Sequence, residues 1–251
     1  MRSRGFRFIP LAILIVLCSS VAFAARESAP ASSSLWSDGK TGLTLSLPVQ
    51  IALGLTLLTL LPAVVMSVSP FLRIIIVLHF LRQALGTQGT PSNQVMLGLS
   101  LFLSMLIMQP VAQDIYYKAW EPVSDGQISV AKGVEEGSKP LKNFLVRFAR
   151  EKDIKLFVEL SKRSAPRTPA DLDLQVLVPA YILSELKTGF QIGAVLFLPF
   201  LVIDLVVASV TLSVGMVQLP PVMISAPFKI LLFVLVDGWT LVVGSLMKSF
   251  Y

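Results

Sequence analysis

The chain has very few of the residues that nucleophilic catalysis and metal binding use. Its 251 residues include one histidine, His79, and one cysteine, Cys18. Zinc sites need several such ligands, and no nucleophile with a neighbouring base is visible in the sequence. A disulfide within the chain is excluded. We therefore expect neither an enzyme nor a bound metal or cofactor.

Charge is also scarce. Only 14% of the residues are charged, 54% are hydrophobic and the mean hydropathy is +0.76. Ordinary soluble domains carry about 25% charge. A protein of this size has too little interior to bury so much apolar surface. The composition predicts an integral membrane protein or a subunit of a large hydrophobic assembly.

The first 24 residues have the pattern of a secretory signal peptide. Three arginines (2, 4 and 7) precede an apolar core at 8–18, and Ala22-Phe23-Ala24 is a small-x-small cleavage site. Eleven apolar residues are too few to cross a hydrocarbon layer of about 30 Å. Cleavage after Ala24 would leave 18 basic and 15 acidic residues and a net charge of +3. Residues 25–45, rich in Ser, Ala and Gly, are predicted to form a flexible leader.

Four apolar segments follow, and they predict an all-α membrane protein of bent helical hairpins. The segments are about 46–66, 93–112, 190–217 and 222–247. We expect a first hairpin over 46–113 and a C-terminal hairpin over 179–251. With the N-terminus outside the cytoplasm, four spans return the C-terminus to the outside, and the turn at 86–91 lies on the cytoplasmic side with Arg73 and Arg82.

Residues 114–178 are a different kind of sequence. They hold 11 Lys/Arg and 10 Asp/Glu, most of the charge in the mature chain. Leu141, Phe144, Leu145 and Phe148 recur at helical spacing, as do Ile154, Phe157, Val158 and Ser161 after a polar break at Glu151–Asp153. This spacing predicts two short amphipathic helices. We interpret this segment as a small, water-exposed extracytoplasmic insertion.

Three charges are isolated in the C-terminal apolar segments: Asp204, Lys229 and Asp237. A charge at bilayer depth costs about 2.5–3.5 kcal/mol on insertion scales and normally faces a partner or water. In a straight hairpin folded at Leu219–Pro220, Lys229 lies about 9 Å from the depth of Asp204. Such a hairpin cannot pair these charges, so either the helices bend or the partners lie in another subunit. We expect inter-subunit contacts; the alternative is a snorkelling lysine with two protonated acids.

Prolines and glycines of the apolar segments indicate broken, closely packed helices. Seven prolines lie at or near those segments, at 62, 70, 110, 199, 220, 221 and 227. We expect Pro62 and Pro70 to bend or break the first helix, Pro110 to end the second and Pro227 to interrupt the last. Pro179 is expected at the start of a helix. Four glycines, at 54, 98, 193 and 215, are interpreted as close-packing positions.

Two long motifs resemble the flagellar biosynthetic protein FliP family. The first runs from Phe71 to Gln88 and continues at Pro91–Leu99. The second consists of Ser184–Thr188, Phe190–Gly193, Phe197–Ser209, Leu219–Ser225, Pro227–Lys229 and Leu235–Trp239. The resemblance covers about residues 46–249, and motifs of this length are highly specific. The charged insertion is only loosely similar.

The resemblance implies a core subunit of the type III protein export gate at the base of the bacterial flagellum. Members of the family form a ring of several copies with FliQ and FliR around a narrow path for unfolded export substrates. Their hairpins are wound into a stack raised above the bilayer plane. The resemblance thus implies an inner-membrane location in the flagellar basal body, with much of the chain on the periplasmic side. Other export apparatus proteins are expected partners, and nucleic acid is not.

One position departs from the family pattern. Members commonly carry a run of methionines before the double proline, thought to close the channel as a gasket; here Met216, Val217 and Gln218 stand there. Methionine suits a seal around variable surfaces, and a hydrophobic constriction blocks water and ions by dewetting. We therefore expect a weaker seal in this chain. Besides these gasket residues, Asp204, Lys229, Asp237, Glu185, Arg73 and Arg82 are the predicted functional residues, as charges at inter-subunit contacts.

Three other functions are compatible with the sequence. An injectisome relative shares the same core, although the signal peptide and the long charged segment favour the flagellar branch. A secondary transporter or ion channel would use Asp204 and Lys229 as a coupling site, but the two halves of the chain share no motif. A non-conducting assembly scaffold is a third class.

Overall fold

The computed structural model describes residues 47–87, 89–161, 172–215 and 220–251, and every described element is helical. The predicted signal peptide, the leader and the gasket positions lie outside these residues. The contacts divide the chain into residues 1–50 and 51–251. Of the first unit, only 47–50 are described, as the first turn of a helix.

Nine α-helices and one π-helical turn are described. They are α1 (Leu47–Ser67), α2 (Phe71–Leu85), α3 (Asn93–Ile115), the π-turn (Tyr116–Trp120), α4 (Glu121–Ser124), α5 (Val130–Phe148), α6 (Glu151–Leu160), α7 (Leu174–Ser213), α8 (Pro221–Leu235) and α9 (Gly238–Lys248). The all-α prediction is confirmed.

Three stretches are long and apolar enough to cross a membrane. They are Pro48–Ser67, Asn93–Ser124 and Leu174–Ser213. The consecutive helices α8 and α9 pass the same test only together, and they are bent by 66° at Val236–Asp237. The described residues therefore offer three spans, or four if the bent pair counts as one.

The core is built around α2. Nine of its fifteen residues are buried and only Gln83 is exposed; the buried residues are Phe71, Arg73, Ile74, Ile75, Val77, Leu78, Leu81, Ala84 and Leu85. It packs against α3, α7 and α8. Helix α3 buries a narrow stripe at three-and-four spacing, Met96, Ser100, Ser104 and Ile107. Because α2 is buried on most of its circumference, it occupies the interior of the bundle.

The charged segment forms the two predicted amphipathic helices, α5 and α6. Phe144 and Leu145 of α5 are buried, and the ring of Phe144 lies 6.1 Å from that of Tyr181 on α7. Helix α6 also packs along α7. The break between them is at Ala149–Arg150; the predicted polar break at Glu151–Asp153 is instead the first turn of α6.

Most of the predicted proline breaks are wrong. Pro62, Pro110, Pro179 and Pro227 all lie inside helices, and α7 begins at Leu174, before Pro179. A proline removes only one backbone hydrogen bond, and in membrane helices hydroxyl side chains and local adjustments of the backbone can satisfy the freed carbonyl. The helices instead end at 68–70, 214–220 and 236–237, so only Pro70 and the double proline lie at a break.

The glycine interpretation holds at one position of four. A Cβ added at Gly54, Gly98 or Gly215 would meet no described atom within 4 Å. At Gly193 it would lie 2.5 Å from the ring of Phe80, so this glycine is required by close packing. Gly215 has a φ of +81°, which suits a residue that ends the long helix α7.

Candidate functional site

Helices α2 and α7 run parallel at unusually close range. A Cβ atom added at Gly189 would lie 3.2 Å from Ile76, and one added at Gly193 would lie 2.5 Å from Phe80. The contacts Ile76–Gly189 and Phe80–Gly193 advance in the same direction along both chains, which fixes the parallel orientation. Two small residues four apart on one helix are the usual means of bringing helix backbones together in membranes. Gly189 was not predicted as a close-packing position, although its spacing of four residues from Gly193 could have indicated one.

The same contact aligns a buried ion pair. Arg73 on α2 donates from Nε to Glu185 Oε2 at 2.8 Å, and its Nη2 forms a second bond to Oε1. Both side chains are almost completely buried. A two-bond fork between guanidinium and carboxylate is the geometry that best compensates two desolvated charges. Arg73 and Glu185 therefore satisfy each other within one chain.

A third nitrogen and the face of the Arg73 guanidinium are also occupied. Nη1 donates to Ser249 Oγ at 3.1 Å, and the ring of Phe250 lies 4.0 Å from Cζ. Phe148 of α5 is 5.8 Å away. A cation stacked on aromatic rings is favourable where water is excluded. One arginine thus connects α2, α5, α7 and the residues after α9.

A second polar junction fastens α6 to α7. The carboxylate of Asp153, buried at the start of α6, accepts from Ser184 Oγ at 2.8 Å and is ion-paired with Lys187. Arg150 donates its backbone N–H to Ser184 Oγ at 2.9 Å and reaches Thr188 at 3.2 Å. Burial alone raises the pKa of Asp153, but the bonds from Lys187 and Ser184 and the nearby positive charge outweigh it and hold the pKa below its usual value.

The third polar junction joins α7, α8 and α2. Lys229 Nζ lies 2.6 Å from Asp204 Oδ2 and donates to the Ala84 carbonyl at 3.1 Å. Ser225 donates to the other carboxylate oxygen, Oδ1, at 2.5 Å. Lys229 is almost completely buried. The pair lies across the two helices that flank the 214–220 break.

The expectation that a hairpin cannot pair Asp204 with Lys229 is therefore wrong. It assumed a turn at Leu219–Pro220, whereas α7 ends at Ser213 and α8 begins at Pro221. Counted from those helix ends, Asp204 is nine residues deep and Lys229 is eight, or about 13 and 12 Å. The depths match because the connection is longer than a tight turn. The expected inter-subunit partners are consequently not needed for Arg73, Glu185, Asp204 or Lys229.

Two predicted charged residues lie away from these junctions. Asp237 is exposed at the α8–α9 bend with a φ of +50°. An inter-subunit contact at Asp237 stays a prediction. Arg82 lies at the α2–α3 turn, where it donates to Asn93 Oδ1 at 2.7 Å and the Pro91 carbonyl at 3.3 Å. Burial lowers the pKa of neighbouring His79, and the Arg82 charge lowers it further.

Outside the core, the chain presents apolar surface without cover. The side chains of α1 from Pro48 to Val65 are exposed, as are large apolar residues along α3, the C-terminal half of α7 and α8. Contiguous apolar surface of this extent marks a face that contacts membrane or other protein. The charged junctions are turned inward and the apolar faces outward.

These features define an all-α membrane protein with buried ion pairs in an apolar core and uncovered apolar outer faces. The chain matches the FliP family over residues 54–246. It is 50% identical over 210 residues to the flagellar biosynthetic protein FliP of Pectobacterium carotovorum, covering 84% of this chain and 81% of that protein. It is 48% identical to the FliP protein of Bacillus subtilis, over 80% of this chain and 91% of that protein. It is 45% identical to the FliP protein of Caulobacter vibrioides, over 95% of this chain and 90% of that protein. The chain belongs to the FliP family.

Proposed function

We propose that this chain is a pore-forming subunit of the flagellar type III protein export gate. Several copies, joined by FliQ and FliR, would surround a path for unfolded flagellar proteins across the inner membrane. The subunit would act as a passive conduit, with energy supplied by other export apparatus proteins. Much of the chain would lie on the periplasmic side.

The uncovered apolar surface is the observation that carries this proposal. A monomer in lipid would need one band of apolar surface about 30 Å deep. The exposed large apolar residues of α7 run from Phe190 to Leu212, about 33 Å of helix, which is close to one hydrocarbon thickness. Apolar side chains are also uncovered on α1, α3 and α8, so four helices of one chain leave apolar surface free for lipid or for neighbouring subunits. This supports a ring in which each copy is covered partly by lipid and partly by other copies.

The Asp204–Lys229 pair supports a structural role for the buried charges. A transporter coupling site must change protonation or bind an ion during each cycle. Here the lysine and the carboxylate neutralise each other, and Ser225 and the Ala84 carbonyl take up further bonds. The arrangement fits a fastening between α7 and α8, which would fix the segment carrying Met216–Gln218 in place.

Deleting the gene and measuring secreted hook protein tests the proposal. We expect motility and hook protein secretion to be lost while hook protein still accumulates in the cytoplasm. Complementation with the full chain should restore both. Normal secretion in the deletion strain would contradict an export role. Loss of a virulence-type secreted protein, with flagellar export intact, would instead indicate an injectisome subunit.

A further inference from the structure

The π-turn presents three exposed aromatic side chains at the end of an apolar helix. Tyr116, Tyr117 and Trp120 are 44%, 55% and 67% exposed. The Glu121 N–H bonds to the Tyr116 carbonyl, five residues back, which is the π-helical pattern. The rings of Tyr116 and Tyr117 lie edge to face, 5.4 Å apart. Such single-turn departures from α-helix often occur at functional positions.

The opposite face of the π-turn is fixed by close packing on α5. A Cβ added at Gly137 would lie 3.1 Å from Ala119 Cβ, and one at Gly133 would lie 2.3 Å from Val123 Cγ2. Ala119 is buried in this contact. Because one side of the turn is held against α5, its three aromatic rings are directed outward together.

The position of the aromatic rings along the chain corresponds to the edge of a bilayer. The exposed apolar residues of α3 begin at Val95. From Val95 to Tyr116 is 21 residues, or about 32 Å of helix, against a hydrocarbon thickness of about 30 Å. At the other end, Arg82, Asn93 and Gln94 line a polar pocket of about 530 Å³. The apolar stretch is therefore bounded by polar groups at one end and by the aromatic turn at the other.

The chemistry of the turn also fits that boundary. Tyrosine and tryptophan combine an apolar ring with a hydrogen-bonding group, and both concentrate where acyl chains meet headgroups. The exposed Asp114–Lys118 ion pair lies in the same stretch, and the charged helix α5 follows. A surface in the hydrocarbon core would not carry such exposed charges.

We propose that Tyr116, Tyr117 and Trp120 bind the headgroup–acyl boundary of a phospholipid bilayer, on the side that carries α5 and α6. The three rings set the depth at which α3 is inserted. This proposal concerns the contact of the single chain with lipid and does not depend on the export role.

Depth-dependent fluorescence quenching of Trp120 tests the proposal. The double variant Trp36→Phe, Trp239→Phe leaves Trp120 as the only tryptophan, and the full chain is placed in phosphatidylcholine nanodiscs. The lipids carry bromine either near the headgroup end or near the methyl end of the acyl chain. We expect stronger quenching of Trp120 by the shallow bromine than by the deep one.

Two matched reporters calibrate the depth. Each reporter is placed in a chain whose three native tryptophans are all replaced by Phe. Leu106→Trp lies midway along the exposed part of α3, and Val134→Trp lies at an exposed position on α5. Leu106→Trp should be quenched most by the deep bromine, and Val134→Trp only by aqueous acrylamide. If Trp120 behaves like either reporter, the boundary assignment is wrong. If neither bromine nor acrylamide quenches Trp120, the aromatic turn is covered by another copy of the chain, which also overturns the proposal.

A second variant tests whether Tyr116 and Tyr117 hold Trp120 at its depth in the bilayer. Tyr116→Ser with Tyr117→Ser leaves the Ala119 contact with α5 unchanged, so the turn should keep its packing. We expect the quenching of Trp120 to shift from bromine toward acrylamide, because two of the three rings that hold this depth are gone. An unchanged quenching ratio would contradict a role for the tyrosines in setting the depth.

Discussion

The Asp204–Lys229 pair, whose lysine is almost completely buried, is the residue-scale feature that couples α7 and α8. Asp204→Asn would leave the Lys229 ammonium buried without its counter-charge. Removing one partner of a buried ion pair costs about 3–5 kcal/mol, whereas replacing both by apolar residues is often close to neutral. We therefore expect Asp204→Asn to lower the free energy of unfolding by more than the double variant Asp204→Leu, Lys229→Met.

Denaturant unfolding of the detergent-solubilised protein measures this difference. The exposed pair provides the control, since Lys118→Met should change the unfolding free energy by less than about 1 kcal/mol. If the double variant is destabilised as much as Asp204→Asn, or more, the loss of the ion pair itself, and not the unpaired Lys229 charge, accounts for the loss of unfolding free energy.

Close packing of α2 on α7 depends on Gly193. A methyl group there would overlap the Phe80 ring, and overpacking of this kind costs about 1–3 kcal/mol. Gly98 provides a matched control on α3, because an added Cβ meets no described atom within 4 Å. We expect Gly193→Ala to lower the melting temperature and Gly98→Ala to leave it unchanged or raise it, since alanine favours helix by about 1 kcal/mol. If the two variants melt alike, Gly193 is not a packing position.

At the scale of elements, the attachment of α6 to α7 should depend on pH through Asp153. Its pKa is lowered in the folded chain, so its contribution to stability is present above its usual pKa of 3.8 and is lost as the pH falls through the lower, folded value. We expect Asp153→Asn to be less stable than the parent at neutral pH, by about 2 kcal/mol. The two melting curves should converge in acid.

Melting temperatures of both proteins across the acid range check this expectation. Asp114→Asn, which alters an exposed ion pair, serves as the control and should follow the parent at every pH. Parallel curves for Asp153→Asn and the parent would show that the carboxylate charge does not hold α6 on α7.

Helix existence was predictable from the sequence, but helix ends were not. Apolar runs and the three-and-four spacing around Phe144 identified α1, α3, α5, α6 and the membrane part of α7. Proline was a poor guide to boundaries, because Pro110, Pro179 and Pro227 each remove only one backbone hydrogen bond, and a helix can continue through such a loss. The N-terminal extension of α7 to Leu174 depends on its packing against α5 and α6, which no local pattern reveals.

The charged residues of the site were predictable, but their partners were not. Isolated charges in apolar sequence directed attention to Asp204, Lys229 and Asp237, whereas Arg73 and Glu185 were found within the two family motifs. The pairing of Arg73 with Glu185 and of Asp204 with Lys229 depends on the parallel contact of α2 with α7 and on the true ends of α7 and α8. Both are tertiary properties. Asp153 was missed because it belongs to a segment in which charge is common, and Lys187 was identified only as part of the second motif, without a partner.

For the whole molecule, the scarce charge and the abundant apolar surface have a single explanation. Most charges in the apolar segments lie inside the bundle, where they bind helices to one another. The outer faces are apolar, as contact with a membrane or with other protein requires. Residues 216–218 lie outside the described residues, so the gasket role remains part of the proposal.

The seal of the proposed conduit should depend on Gln218. An amide in a hydrophobic constriction attracts water, whereas methionine favours dewetting. We expect Gln218→Met to preserve hook protein export and to lower the resting sodium conductance of the gate. Val214→Met is a matched control, because it adds a methionine at an exposed position that precedes residues 216–218. It should leave the conductance unchanged. An equal or higher conductance in Gln218→Met would count against a gasket at 216–218.

Crosslinking to a stalled substrate tests the conduit most directly. A photoreactive residue is placed at position 217, or at exposed Phe102 on the outer face of α3, in cells whose hook protein is fused to a domain too stable to unfold. The account predicts a crosslink between the substrate and position 217 and none at 102. No crosslink at 217, or equal crosslinking at both positions, would contradict a path for unfolded protein through this chain.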